Sequence, residues 1–186
     1  VFQNKTYTDE YAGGYLWALA DDGIVRTDLN GSVDANGVNA PDGVLGPYRE
    51  REGSFYAIKE IFSPVHISMK KLPDSFNGHI SVENRFDFTN LNQCTFNWEL
   101  INFKMPTDFE PGYITLNEGS VKGNDIKPGK KGIINLELPA DWQKAEGLIL
   151  TASDPFQKEI YTWSWKIKKN EDFLEDINNT EMESFS

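Results

Sequence analysis

The sequence predicts a mainly β protein, an antiparallel β-sandwich of about seven strands in roughly 100 residues, preceded by a single strand-and-helix unit. Three observations predict it. Apolar and polar residues alternate with period two in several stretches after residue 64, as half-buried antiparallel strands require. Turn dipeptides such as Asn77-Gly78 and Pro128-Gly129 separate those stretches. Ahead of them stand one continuous apolar run and one stretch with helical spacing.

The elements follow in chain order. Gly13-Gly14-Tyr15-Leu16-Trp17-Ala18-Leu19-Ala20 is apolar on both faces behind paired glycines, which suits a buried strand of a parallel sheet. Residues Asp28 to Pro47 read as one long polar loop holding Gly31, Gly37, Gly43 and Gly46. Phe55, Ile58, Ile61 and Phe62 then share a helical face, with Ser54 as N-cap and Ser63-Pro64 as the stop. One such βα pair cannot cover its own apolar surfaces.

The strands come next. His66 to Leu72 is the first; His79 to Phe88 turns Ile80, Val82, Phe86 and Phe88 to one side, with Asn84 as a polar exception. Thr95 to Asn102 groups Phe96, Trp98 and Leu100, and Tyr113 to Lys122, Ile133 to Leu138 and Leu148 to Ser153 show weaker patterns. Ile160 to Lys168 turns Tyr161, Trp163, Trp165 and Ile167 inward. From residue 169 an acidic tail holds Glu171, Asp172, Glu175, Asp176, Glu181 and Glu183 against Lys169. It reads either as a solvated linker or as the start of a further domain.

Composition bounds the function. The chain has 186 residues, 39% hydrophobic and 25% charged, in the range of a globular protein with a real core. Eighteen lysines and arginines face 29 acids, a formal charge of −11, so nucleic acid and anionic membrane are poor partners. The longest apolar run is too short to span a bilayer, and Val1-Phe2-Gln3-Asn4 does not open a signal segment. The chain therefore reads as a mature protein or as a piece cut from a longer one. The single cysteine, Cys94, excludes an internal disulfide and a Cys-rich metal site, and His66 and His79 stand apart from any ligand cluster. Asn4, Asn30 and Asn178 sit in glycosylation sequons. A lone cysteine marks no compartment; the reading leans to a periplasmic or extracellular protein over a cytoplasmic one.

Sites of known chemistry are mostly absent. Asp28, Asn30, Ser32 and Asp34 place oxygens at alternate positions, as in a calcium loop. Val33 stands where that loop needs glycine and Asn39 where it needs a bidentate glutamate, so turn chemistry explains them better. Asp21-Asp22 are adjacent on a strand and point to opposite faces, so they do not form a facing acid pair. Glu50, Glu52 and Glu60 surround the short helix and read as surface charge. No nucleophile elbow, Walker loop or dinucleotide fingerprint is present. Trp17, just before Asp21-Asp22, is either core or an indole face able to stack on a sugar ring.

The ordered series Gly13-Gly14-Tyr15-Leu16-Trp17, Asp42-Gly43-Val44-Leu45, Tyr48-Arg49 and Phe55 to Val65 resembles the end of the catalytic barrel of family-two glycoside hydrolases, the β-galactosidase group. Asn84 to Leu91 and Phe96 to Leu100 resemble the first strands of the immunoglobulin-like sandwich that follows that barrel. The resemblance covers residues from about 11 to 168. It implies that residues 1–63 are the C-terminal remnant of a (β/α)8 barrel, 64–168 an immunoglobulin-like sandwich and 169–186 an acidic linker to a following domain. It makes Trp17 the substrate-binding tryptophan of the last barrel strand, at the sugar subsite. Ala18 departs from the aspartate the family often has there, and Asp42 from an asparagine.

The family's two catalytic glutamates lie upstream of that strand. Asn117-Glu118 and Asn170-Glu171 fall beyond the barrel's end, so no residue of this chain is expected to be catalytic. The parent is implied to be a retaining glycosidase, and this chain is expected to hold no cofactor or metal and to be a non-catalytic, structural part of it. Implied partners are a β-galactoside-like carbohydrate and the rest of the parent chain. An uncovered apolar strand would also favour association of copies of the chain. The alternative is a stand-alone carbohydrate-binding sandwich, which requires an exposed aromatic platform from Trp98, Trp163 and Trp165. A plainer third reading is a protein-interaction sandwich with no sugar role.

Overall fold

In the computed structural model, residues 16–35, 42–105 and 109–169 are described. The chain divides into two compact units, Val1–Phe62 and Ser63–Ser186. Gly13, Gly14, Tyr15 and the tail from Asn170 lie outside the described residues, as do Asn36, Gly37 and Asn39.

The first unit corrects several expectations. Residues 16–20 do not form the buried strand; a single parallel bridge joins Ala20 to Leu45. The physical reason is that a parallel strand needs hydrogen-bonded neighbours on its sides, and among the described residues only 42–45 run beside this one. The segment read as one long loop begins with a hairpin, β1 (Gly23–Arg26) paired with β2 (Ser32–Ala35). Ile24, Val25 and Val33 supply its β-branched residues, and Asn30 and Gly31 take the positive φ angles that its turn needs. Helix α1 runs Gly53–Ile61. Its N-cap is Glu52 rather than Ser54, whose hydroxyl instead donates to the Val44 carbonyl at 3.5 Å. None of its residues is buried.

The second unit is the sandwich. Seven strands form two sheets: β3 (Val65–His66), β4 (His79–Asn84) and β7 (Lys131–Asn135) in the order β3-β4-β7, and β5 (Thr95–Phe103), β6 (Tyr113–Lys122), β8 (Gly147–Ser153) and β9 (Glu159–Lys166) in the order β6-β5-β8-β9. Every pairing is antiparallel. The chain crosses between sheets from β4 to β5, from β6 to β7 and from β7 to β8, the connectivity of a Greek-key sandwich. Gly78 and Gly129 hold positive φ at the two turns that the dipeptides mark.

The alternation puts the core where it was read. Ile80 and Val82 of β4 and Ile134 of β7 join Phe96, Trp98 and Leu100 of β5, Leu148, Leu150 and Ala152 of β8 and Trp165 of β9 in one buried cluster. Two strand readings change. The first strand shrinks from 66–72 to Val65–His66. Phe88, expected inward, is 96% exposed. The reason lies at Asn84, which is fully buried. Its Oδ1 accepts from the Phe86 amide at 3.0 Å, and its Nδ2 donates to Ile126 O at 2.7 Å and Thr89 O at 2.9 Å. That side chain ends the strand and turns the backbone away, so the alternation does not reach Phe88.

Candidate functional site

Trp17 stands on a segment laced to residues 42–45 by the backbone. The Ala18 amide donates to Asp42 O at 3.1 Å, Val44 N to Ala18 O at 3.1 Å, Leu45 N to Leu19 O at 3.0 Å and Asp21 N to Leu45 O at 2.8 Å. Asp21 Oδ1 accepts from the Gly43 amide at 2.6 Å. A methyl on Gly43 would lie 2.3 Å from the Asp21 nitrogen, so only glycine fits this crossing. The clamp holds the backbone and leaves the side chains out. Trp17 is 88% exposed, Leu19 73% and Leu16 50%. Asp21 is thus a bracing group, and Glu50 is another, accepting from the Tyr48 amide at 2.9 Å.

The oxygens that mimic a calcium loop are held by a cation. Arg26 donates to Asp28 at 2.6 and 2.8 Å and to Asp34 at 2.8 Å, across the hairpin. This pairing holds the Asp28 carboxyl below its ordinary range and raises the Arg26 guanidinium. Among the described residues no group of three or more His, Cys, Asp or Glu could hold a metal ion. His79 Nδ1 lies 2.8 Å from Asn77 Oδ1 beside the turn. Cys94 is fully buried, and burial, helped by the charge of Asp154, pushes its thiol up to about 11.

The sandwich tryptophans make no platform. Trp98 and Trp165 are each 5% exposed, and Trp163 packs against the core. Trp165 Nε1 donates to Met69 O at 2.9 Å. This takes away the exposed surface that the stand-alone carbohydrate-binding alternative requires. One feature escaped the sequence reading: Lys70, Lys71, Lys166, Lys168 and Lys169 line one cleft. The doublet at 70–71 and the lysines at the end of β9 and just after it carried the signal, but only the fold brings them together.

The second unit is thus a seven-strand Greek-key sandwich with Trp98 and Trp165 buried in its core. The chain belongs to the family described as β-galactosidase, domain 4, whose model matches residues 80–176. The match covers a non-catalytic domain of a glycoside hydrolase and accords with a structural role. Among solved structures, exo-chitosanase CsxA of Amycolatopsis orientalis is 16% identical, covering 67% of this chain and 13% of that one at a TM-score of 0.37. A structure of exo-β-D-glucosaminidase CsxA with a glucosamine-configured castanospermine inhibitor is 19% identical, with coverage of 67% and 13% and a TM-score of 0.30. The chain thus spans about an eighth of the length of these solved relatives. No curated protein matches the sequence. Among the described residues no helix is long and apolar enough to cross a membrane.

Proposed function

We propose that this chain is part of a retaining glycosidase of the β-galactosidase type and that its sandwich braces the catalytic barrel of that parent. In this reading residues 1–63 are the end of the barrel, the catalytic glutamates are supplied upstream, and Trp17 lines the sugar subsite. The observation that carries the proposal is the family match over residues 80–176. Two others support it. Trp17, Leu19, Ile24 and Val25 are all more than 60% exposed, apolar surface that further barrel strands would cover. Phe103, Met105, Tyr113, Ile114 and Leu116, at one end of the β5–β6 hairpin, are between 46% and 61% exposed and offer a second face to the rest of a parent chain. An indole such as Trp17 provides the flat apolar surface that one side of a pyranose stacks on.

The test is hydrolysis of aryl β-galactosides by this chain alone and by the parent. The chain alone should show no turnover, and the parent should release product with retained configuration. Trp17→Ala in the parent should cut kcat/KM by about 100-fold, roughly 2.7 kcal/mol of transition-state binding. Turnover by the isolated chain that is lost on mutating one of its own carboxylates would refute the proposal.

A further inference from the structure

Three asparagines stand directly before a glycine, Asn30, Asn36 and Asn77, and Asn36 lies outside the described residues. Such a pair is reactive, because a glycine carries no side chain to keep its backbone nitrogen from the carbonyl carbon of the asparagine side chain. The fold treats the two described pairs in opposite ways. At Asn30 the hairpin engages the nitrogen: the Gly31 amide donates to Arg26 O at 2.9 Å. Among the described residues none hydrogen-bonds to the Asn30 side chain. At Asn77 the pattern is reversed. Among the described residues none accepts from the Gly78 amide, while the Gly78 carbonyl is held by the Leu136 amide at 3.0 Å. Asn77 Oδ1 accepts from the His79 amide at 3.4 Å and lies 2.8 Å from His79 Nδ1. A backbone N–H aimed at that atom marks it as the oxygen, so Nδ1 carries the ring proton and donates. A Cβ on Gly78 would meet nothing nearer than 3.7 Å, which leaves room for a ring to close.

We propose that Asn77-Gly78 is a self-modification site, where the turn converts its own asparagine to aspartate and isoaspartate. The Gly78 nitrogen bonds to Asn77 Cγ, the Cγ–Nδ2 bond breaks, and ammonia leaves with the proton that the glycine nitrogen gives up. Water then opens the resulting succinimide at either carbonyl, and nothing is oxidised or reduced. During the attack Oδ1 becomes an oxyanion, and two N–H donors already converge on it. The imidazole stands within reach to pass a proton as that charge develops. Asn77 and His79 are both exposed, so water reaches the ring. Isoaspartate lengthens the backbone by one carbon between Phe76 and Ile80, which are both buried. The start of β4 then meets β7 out of step at the pairing of His79 with Asn135, so the site acts as an irreversible clock on the sandwich. The inference goes beyond the proposed function and needs only the second unit.

Peptide mass spectrometry of the full chain, incubated at neutral pH both folded and in urea, tests this by following aspartate and isoaspartate at residues 30 and 77. In the folded chain Asn77 should convert about ten-fold faster than Asn30, the rate equivalent of one hydrogen bond. In urea the two should agree within about two-fold, because the same dipeptide then lacks the fold that sets them apart. His79→Leu should slow conversion at Asn77 about five-fold in the folded chain and leave Asn30 unchanged. Folded Asn77 converting no faster than Asn30 would overturn the proposal, and that comparison needs no variant. Aspartate without isoaspartate at residue 77 would overturn it in favour of direct hydrolysis. An unchanged rate in folded His79→Leu would overturn the part given to the imidazole.

Discussion

The two units of this chain are built from the same kinds of residue and end very differently. Every buried apolar side chain among the described residues belongs to the second unit, from Val65 onward. Among the described residues of the first unit only Gly43 and Gly46 are buried. Yet residues 16–62 carry Leu16, Trp17, Leu19, Ile24, Val25, Leu29 and Phe62, each at least half exposed. Apolar content alone therefore does not make a core. The sandwich closes because two sheets present alternating faces to each other, so each strand's apolar side meets another's. Among the described residues of the first unit, a hairpin, two isolated bridges and a nine-residue helix offer no second layer.

Substitutions should separate the units sharply. Phe96 is fully buried at the centre of the core, and Phe96→Ala should cost about 3–5 kcal/mol in urea unfolding followed by far-UV circular dichroism. Phe55 of α1, edge-on to Tyr56 and with Arg51 over its ring at 4.9 Å, should cost under about 1 kcal/mol as Phe55→Ala. Equal losses would mean that the first unit has a core of its own. Asn84→Ala comes next, at about 3 kcal/mol, since it removes the donor to Thr89 O, one of the two donors to Ile126 O and the acceptor of the Phe86 amide. Asn84→Asp should not rescue it at neutral pH, because a carboxylate cannot donate to two carbonyls.

Asn84 also shows where reading the sequence succeeds and stops. The strands of the sandwich were legible because period-two alternation is a local property, and β6 matches its expected span of Tyr113 to Lys122. The family was legible in the ordered motifs, and the domain 4 match over residues 80–176 agrees for those from Asn84 to Leu100. What failed depended on distant groups. The end of β4 is set by bonds from Asn84 to Ile126, 42 residues on. The run from Leu16 to Ala20 reads as a buried strand, and the pattern is sound, but burial needs neighbouring strands that the run itself cannot specify. The lysine cleft joins residues near 70 to residues near 168, a separation that no local window detects.

Cys94 gives a test by pH. Burial raises its folded thiol from 9.0 to about 11, so the folded state keeps its proton where the unfolded chain releases it. That contribution is complete below about pH 9 and is lost as pH rises towards 11; at pH 10.5 the loss should be about 2 kcal/mol. Cys94→Ala should flatten this part of the urea midpoint profile, and iodoacetamide should label the native thiol at pH 8 far more slowly than the unfolded one. A wild-type profile no steeper than that of Cys94→Ala would show that the thiol is solvated. A smaller effect is expected at Gly119, opposite Trp98 in the β5–β6 ladder. A methyl there would lie 2.4 Å from the Trp98 ring, and Gly119→Ala should cost about 1–2 kcal/mol by overpacking, with a shift in tryptophan emission.

The smallest effect falls on the first unit, and it sharpens the contrast most. Trp17 is as apolar as Trp98, but 88% of it faces solvent against 5% of Trp98. In this chain Trp17→Ala should leave the urea midpoint within about 0.5 kcal/mol of wild type, as truncation of an exposed side chain does. It should also remove the fluorescence most accessible to acrylamide, leaving the quenching-resistant signal of Trp98 and Trp165. A large loss of stability would show that Trp17 is buried by something in solution, and a rise of that loss with protein concentration would identify it as a second copy of the chain. The same substitution in a longer parent should then be costly for activity and not for folding, because a side chain held out by the clamp at Asp21 and Gly43 is free to meet a ligand.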